Sequence, residues 1–138
     1  MKKDTLIMKY LNHSDLQTYF DEGDGKEIHL ILMSGIRKII KSENISYTLS
    51  LENVSPMTNK GKESLSIIVK CIAKNKDRQI ETYASASPLT TSSHYTVEMA
   101  EKRAISRAVL MLVGIYDKYK GADEFSAQTK PLSIPNLR

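Results

Sequence analysis

Lys102, Arg103 and Arg107 are the side chains of this 138-residue chain best suited to hold an anion. Arg103 and Arg107 stand four residues apart, one turn of a helix, and Lys102 projects about 100° round from Arg103. Cations along one helix edge suit phosphate oxygens, since they neutralise charge and donate hydrogen bonds without reading a base. The competing reading is internal: Glu98 or Glu101 could pair with these arginines and leave nothing for a ligand. Two further basic groups fall in loops, Lys60 with Lys62, and Lys74 with Lys76 and Arg78. They flank one apolar segment, so strand reversal sets them at its opposite ends. Lysines that merely keep turns soluble would look the same. Tyr83 and Tyr95 could stack on bases, as aromatic platforms do in single-strand binders, or could form the edge of a core.

Other chemistry finds little material. Asp21, Glu22, Asp24 and Glu27 could in principle hold Mg²⁺ as in a nuclease, but acids in a glycine-rich turn are ordinarily solvated. There is no Gly-x-x-x-x-Gly-Lys-Ser/Thr loop, no Gly-x-Ser-x-Gly elbow and no His-Glu-x-x-His. Cys71 has no second cysteine, which excludes an internal disulfide, and its alternating apolar surroundings read as a buried thiol. His13, His29 and His94 share no ligand-like spacing. The expectation is a protein that is not an enzyme, with no cofactor and no metal.

Composition is that of a soluble globular domain, 41% hydrophobic and 26% charged. No apolar run approaches the roughly 20 residues needed to cross a bilayer. Neither does the N-terminus carry the apolar region and small-residue cleavage site of a secretory leader. No membrane association is expected, and the location expected is the cytoplasm. A net charge of +4 and a pI near 9.1 are mild; their distribution says more. Residues 15–27 hold five acids against one base, residues 60–78 six bases against two acids. Such polarity suits an anionic partner at one end, or head-to-tail contact between copies of the chain.

The elements that must position these groups follow from periodicity. Val97, Ala100, Ala104, Ala108, Met111 and Ile115 fall on one narrow stripe at 100° per residue and predict a long helix capped by Ser92 or Ser93 and ending between Gly114 and Lys120. Upstream, Ile45, Tyr47, Leu49 and Leu51 alternate with polar residues and predict a strand. Pro56 and the polar run 55–63 are expected to break it. Leu65 to Ala73 and Gln79 to Ser85 predict two more strands, making an antiparallel meander. Nearer the N-terminus the expected elements are a short helix within residues 1–12, strands Asp15–Phe20 and Glu27–Ile31 around the turn 22–26, and an amphipathic helix over 32–42. Arg37, Lys38 and Lys41 would form that helix's solvated face.

The last strand of the meander ends in Ala86-Ser-Pro88, and the helix behind it carries Met-Ala-Glu-Lys-Arg-Ala-x-x-Arg-Ala from Met99 to Ala108. Together with Ile31 to Ile40 this β-β-β-α arrangement, over residues 27–117, resembles the single-strand annealing proteins of the Rad-fifty-two type and their phage and mobile-element relatives. The chain departs from that pattern with Ser85 before Ala-Ser-Pro and with Ser106 where the third base of the eukaryotic motif falls.

The resemblance implies an ATP-independent protein of homologous recombination. It would bind single-stranded DNA along a basic groove, pair complementary strands, and assemble into a homo-oligomeric ring or helical filament in a bacterial host cytoplasm. Lys102, Arg103 and Arg107 would be its phosphate contacts. A non-catalytic interaction module on the same fold, an inhibitor or assembly adaptor, is the alternative. The fold expected is α+β: an antiparallel β-meander with a long C-terminal helix packed on it, plus a small N-terminal hairpin and helix. Residues 1–120 would form one nucleic-acid-binding domain. Residues 121–138 would be an extended or mobile tail, available to a single-strand-binding protein or nuclease.

Overall fold

A computed structural model describes residues 7–21, 25–59, 61–87 and 96–124. Among the described residues, two three-stranded sheets and two long α-helices make up the α+β fold, with a further helical stretch at residues 7–8. In the first sheet, β1 (Leu16–Asp21) runs antiparallel to β2 (Lys26–Ile31), with Leu16 opposite Ile31 and Asp21 opposite Lys26. The amphipathic helix follows as α1 (Met33–Ser42), burying Ile36 and Ile39. The meander is β3 (Ser46–Asn59), β4 (Lys62–Lys74) and β5 (Gln79–Ala86), in that spatial order. The long helix is α2 (Thr96–Leu112). Residues 22–24 of the expected turn, residues 1–6 of the helix expected within 1–12, and residues 88–95 between the meander and the long helix lie outside the described residues.

The expected break at 55–63 is confined to the stretch between Asn59 and Lys62. β3 continues to Asn59, and Pro56 stands in register opposite Leu65. Proline is tolerated there because β3 is an edge strand, where a missing backbone N–H need not cost a ladder bond. The register shifts once, between Leu51 and Asn53, through a bulge that keeps Leu51 and Val54 on the same face. Gly61, at φ 79°, makes the reversal into β4, a conformation that a side chain would strain.

α2 lies on β4 and β5, running antiparallel to β5, and Ala100, Ala104 and Ala108 allow the close approach. Thr82 on β5 fills its hydroxyl requirement by donating to the Ala104 carbonyl at 2.9 Å. Ile67, Val69, Cys71 and Ala73 from β4, with Ala84 and Ala86 from β5, complete this side of the core. The predicted stripe holds at its alanines and at Ile115, but Val97 is exposed. The helix also buries Arg103, Ile105, Ser106, Val109 and Leu110, far more of its circumference than one stripe.

A strand absent from the sequence reading explains the excess. β6 (Tyr119–Gly121) pairs parallel to β2, with His29 opposite Tyr119 and Ile31 opposite Gly121, and carries the first sheet against α2. A 3-10 turn, Ala122–Glu124, follows. Ordered structure therefore runs past the expected boundary at residue 120, and only 125–138 of the expected tail lies outside the described residues.

The β6–α2 contact leaves no room for a side chain. A Cβ on Gly121 would stand 2.5 Å from Ser106 Cβ, and Ser106 is fully buried. Gly121→Ala is expected to cost about 1–3 kcal/mol, and Ser106→Gly in the same chain should recover part of it; denaturant melts check both. Ser106 Oγ has no hydrogen-bond partner among the described residues. Ser106→Ala should therefore be neutral or stabilise by about 1 kcal/mol.

Candidate nucleic-acid interface

Arg103 and Arg107 face β5 rather than a groove. Arg103 Nη1 donates to the Ser85 carbonyl at 2.9 Å and Nε to the Asp123 carbonyl at 2.6 Å. Only 4% of Arg103 is exposed, so it is a structural cation and not a phosphate contact. This corrects the reading of its helix edge: the edge is covered by β5 and by the 122–124 turn, both far away in sequence. Arg107 Nη1 donates to the Tyr83 carbonyl at 2.8 Å and is half-buried.

The two bonds have a common geometry. Alternate carbonyls of an edge strand face away from the neighbouring strand. One helical turn advances about 5.4 Å and two strand residues about 6.7 Å. Arginines four apart on α2 can thus reach carbonyls two apart on β5, and they do. The pair caps the outer edge of the sheet.

Lys102 remains half-exposed. Beside it the structure brings a cation that sequence reasoning assigned only to a solvated face, Arg37 of α1. Both act on the half-buried Asp123: burial pushes its carboxyl up, while Lys102, Arg103 and Arg37 pull it down. The local signal for Arg37 was too weak to find, because α1 and α2 are separated by the whole meander.

The loop bases stay apart. Lys74 and Lys76 are exposed at the β4–β5 turn, near the C-terminus of α2. Arg78 is exposed too, with Nη1 donating to the Leu112 carbonyl at 3.2 Å, which satisfies an orphan group at the helix end. It borders a cleft of about 440 Å³ that also presents Lys9, Glu43 and Asp77, a mixture of charges rather than a cationic track. Lys62 opens β4 opposite Asn59, at the other end of a strand of 13 residues, about 40 Å away. Lys60 and Tyr95 lie outside the described residues. Tyr83 is 50% exposed on the face of the meander away from α2, opposite Lys70. Lys70 is already engaged, with Glu52 at 3.6 Å and Glu81 at 3.8 Å.

The remaining candidates are structural. Cys71 is fully buried, and burial pushes its thiol up to about 11, leaving it unreactive. Asp15, counted above among the acids of a polarised N-terminal region, is internal. It is 2% exposed and accepts from the Asn12 backbone N–H at 2.8 Å, Ser34 Oγ at 2.7 Å and Lys38 Nζ at 2.7 Å. Among the described residues no group of three or more His, Cys, Asp or Glu is placed to hold a metal ion, and no helix is long and apolar enough to cross a membrane. No protein-family model and no curated protein matches this chain.

Proposed function

We propose that the chain is a single-stranded DNA-binding and strand-annealing protein of homologous recombination, ATP-independent and working as an oligomer on phosphate backbones. It would serve a phage or mobile element in a bacterial host cytoplasm. The observation that supports it is the β-β-β-α unit: Lys102 sits at the half-exposed edge of a helix laid on a meander whose first hairpin reaches Asn59 and Lys62. Lys102 and Arg37 provide the central phosphate contacts, and Lys74 and Lys76 extend the track toward one end of the sheet. Arg107 contributes from beside Tyr83, and Lys60 and Lys62 are the further bases that the sequence supplies between Asn59 and Glu63. Arg103 has no part in it. Phosphate neutralisation holds the strand without reading sequence, base edges stay open, and base pairing supplies the energy of annealing.

Binding of a labelled oligonucleotide across a salt series tests this. With a phosphate neutralised at each of these seven cations, log affinity should fall against log salt with a slope of about −5, and each cation removed should flatten the slope by about 0.7. Lys102→Ala and Arg37→Ala should weaken binding while the melting temperature stays put. Absence of binding at low salt overturns the proposal, and failure to pair complementary strands without ATP limits it to binding.

A protein-interaction module is the second reading, favoured by one observation. Tyr47, Leu51, Val54 and Leu65 are exposed apolar residues on the core-facing side of the β3–β4 hairpin, beyond the cover of α2. Salt-insensitive binding to a protein, with no affinity for oligonucleotide, would favour it.

A further inference from the structure

We propose that β3 is a self-pairing edge: two copies of the chain join through antiparallel β3–β3 contact into a two-fold dimer with a continuous six-stranded sheet. The inference develops the oligomeric part of the proposed function and is independent of its nucleic-acid part.

The meander has two edges, β3 and β5. β5 is closed to strand addition, because the carbonyls of Tyr83 and Ser85 are taken by Arg107 and Arg103. That obstructs a head-to-tail continuation of the sheet in which β5 of one copy meets β3 of the next. β3, with 14 residues, pairs only with β4 among the described residues. Its other side presents a row of backbone donors and acceptors, the ordinary template for pairing with another chain.

The side chains say which strand fits. Ser46 to Leu51, the stretch before the bulge, contains no charged residue. Tyr47, Leu49 and Leu51 share the core-facing side, opposite Ala73, Cys71 and Val69 of β4, while Ser46, Thr48 and Ser50 share the other. Read backwards, the pattern is unchanged. In an antiparallel pair centred on Leu49, Tyr47 of one copy meets Leu51 of the other, serine and threonine meet on the outer side, and no like charges oppose. Glu52, the first charge past this stretch, is held by Lys70 at 3.6 Å. Tyr47 is 42% exposed and Leu51 55%, although both belong to the apolar side of the sheet. A neighbour's matching row would cover them, and an isologous contact of this kind closes at two copies.

Sedimentation or light scattering of the full chain, without oligonucleotide, tests the proposal across a dilution series. The expected mass is twice 15.6 kDa. Leu51→Lys should yield monomers with an unchanged circular dichroism spectrum. The exchange Tyr47→Lys with Leu51→Glu should restore the dimer, because position 47 of one copy faces position 51 of the other. If Leu51→Lys does not fold, Tyr47→Lys takes its place. A monomeric wild type, or a dimer or larger assembly that survives Leu51→Lys, overturns the proposal. A monomer whose β3 amides resist hydrogen exchange also overturns it, since the edge is then covered by the chain itself. Oligonucleotide binding measured on the same variants separates failure of this interface from failure of the proposed function.

Discussion

Arg103→Ala is expected to lower stability by about 3–4 kcal/mol, since it leaves two part-buried carbonyls without their donor and a void beside α2 where the buried side chain stood. For a domain of this size the melting temperature should fall by about 10–15 °C. Arg103→Lys should recover little. Nε and Nη1 of one planar group reach Asp123 and Ser85 carbonyls on different elements, whereas a single ammonium offers no such fork. Thermal melts of both variants against Lys102→Ala, which should melt like the wild type, provide the check. An Arg103→Ala protein as stable as wild type would mean that the guanidinium does not tie α2 to β5 and to the 122–124 turn. The comparison also guards the functional test: loss of oligonucleotide binding in an Arg103 variant reports unfolding, while loss in a Lys102 variant reports a lost contact.

Asp15→Ala should cost about 1–2 kcal/mol, because it removes three hydrogen bonds at once, while the donors Asn12, Ser34 and Lys38 are exposed enough for water to replace part of them. The same site makes stability depend on acid. The Asn12 backbone N–H, then Lys38 and Ser34, hold the carboxyl at about 2 against an ordinary 3.8. A folded-state value below the unfolded one means the folded chain releases this proton more readily. Its stabilisation is therefore complete above about pH 4 and disappears as pH falls through about 2. Urea melts between pH 5 and pH 2 should show wild-type stability falling, with a shallower fall in Asp15→Asn. Asp123 works in the opposite sense. Burial raises its value, so its contribution is present at low pH and lost as pH rises through the folded value. Asp123→Asn should thus shed a cost that the wild type carries at neutral pH.

Short-range pattern was enough for the α+β class, the meander, α1 and the long helix. Alternation in Ile45–Leu51 and Leu65–Ala73 needs only a sheet with one apolar face, and the Ala100, Ala104, Ala108 spacing needs only a helix lying on it. Alternation also placed Lys62 and Lys74 at opposite ends of β4, because strand reversal leaves no other arrangement. What pattern could not supply was anything that depends on a distant neighbour. β6 has three residues and no period of its own; it exists because β2, some 90 positions earlier, offers it an edge. Pro56 looked like a terminator and is tolerated because β3 lies at an edge. The apparent display of Arg103 came from treating α2 as a helix with one covered side. Once β6 and the 122–124 turn close over the other side, the same helical spacing that suggested a phosphate clamp becomes a clamp on β5's own carbonyls. Lys102, one residue earlier and turned about 100° away, remains half-exposed. Local sequence determined which residues are cationic and which faces are apolar. The packing of elements far apart in the chain decided which of those cations reach solvent.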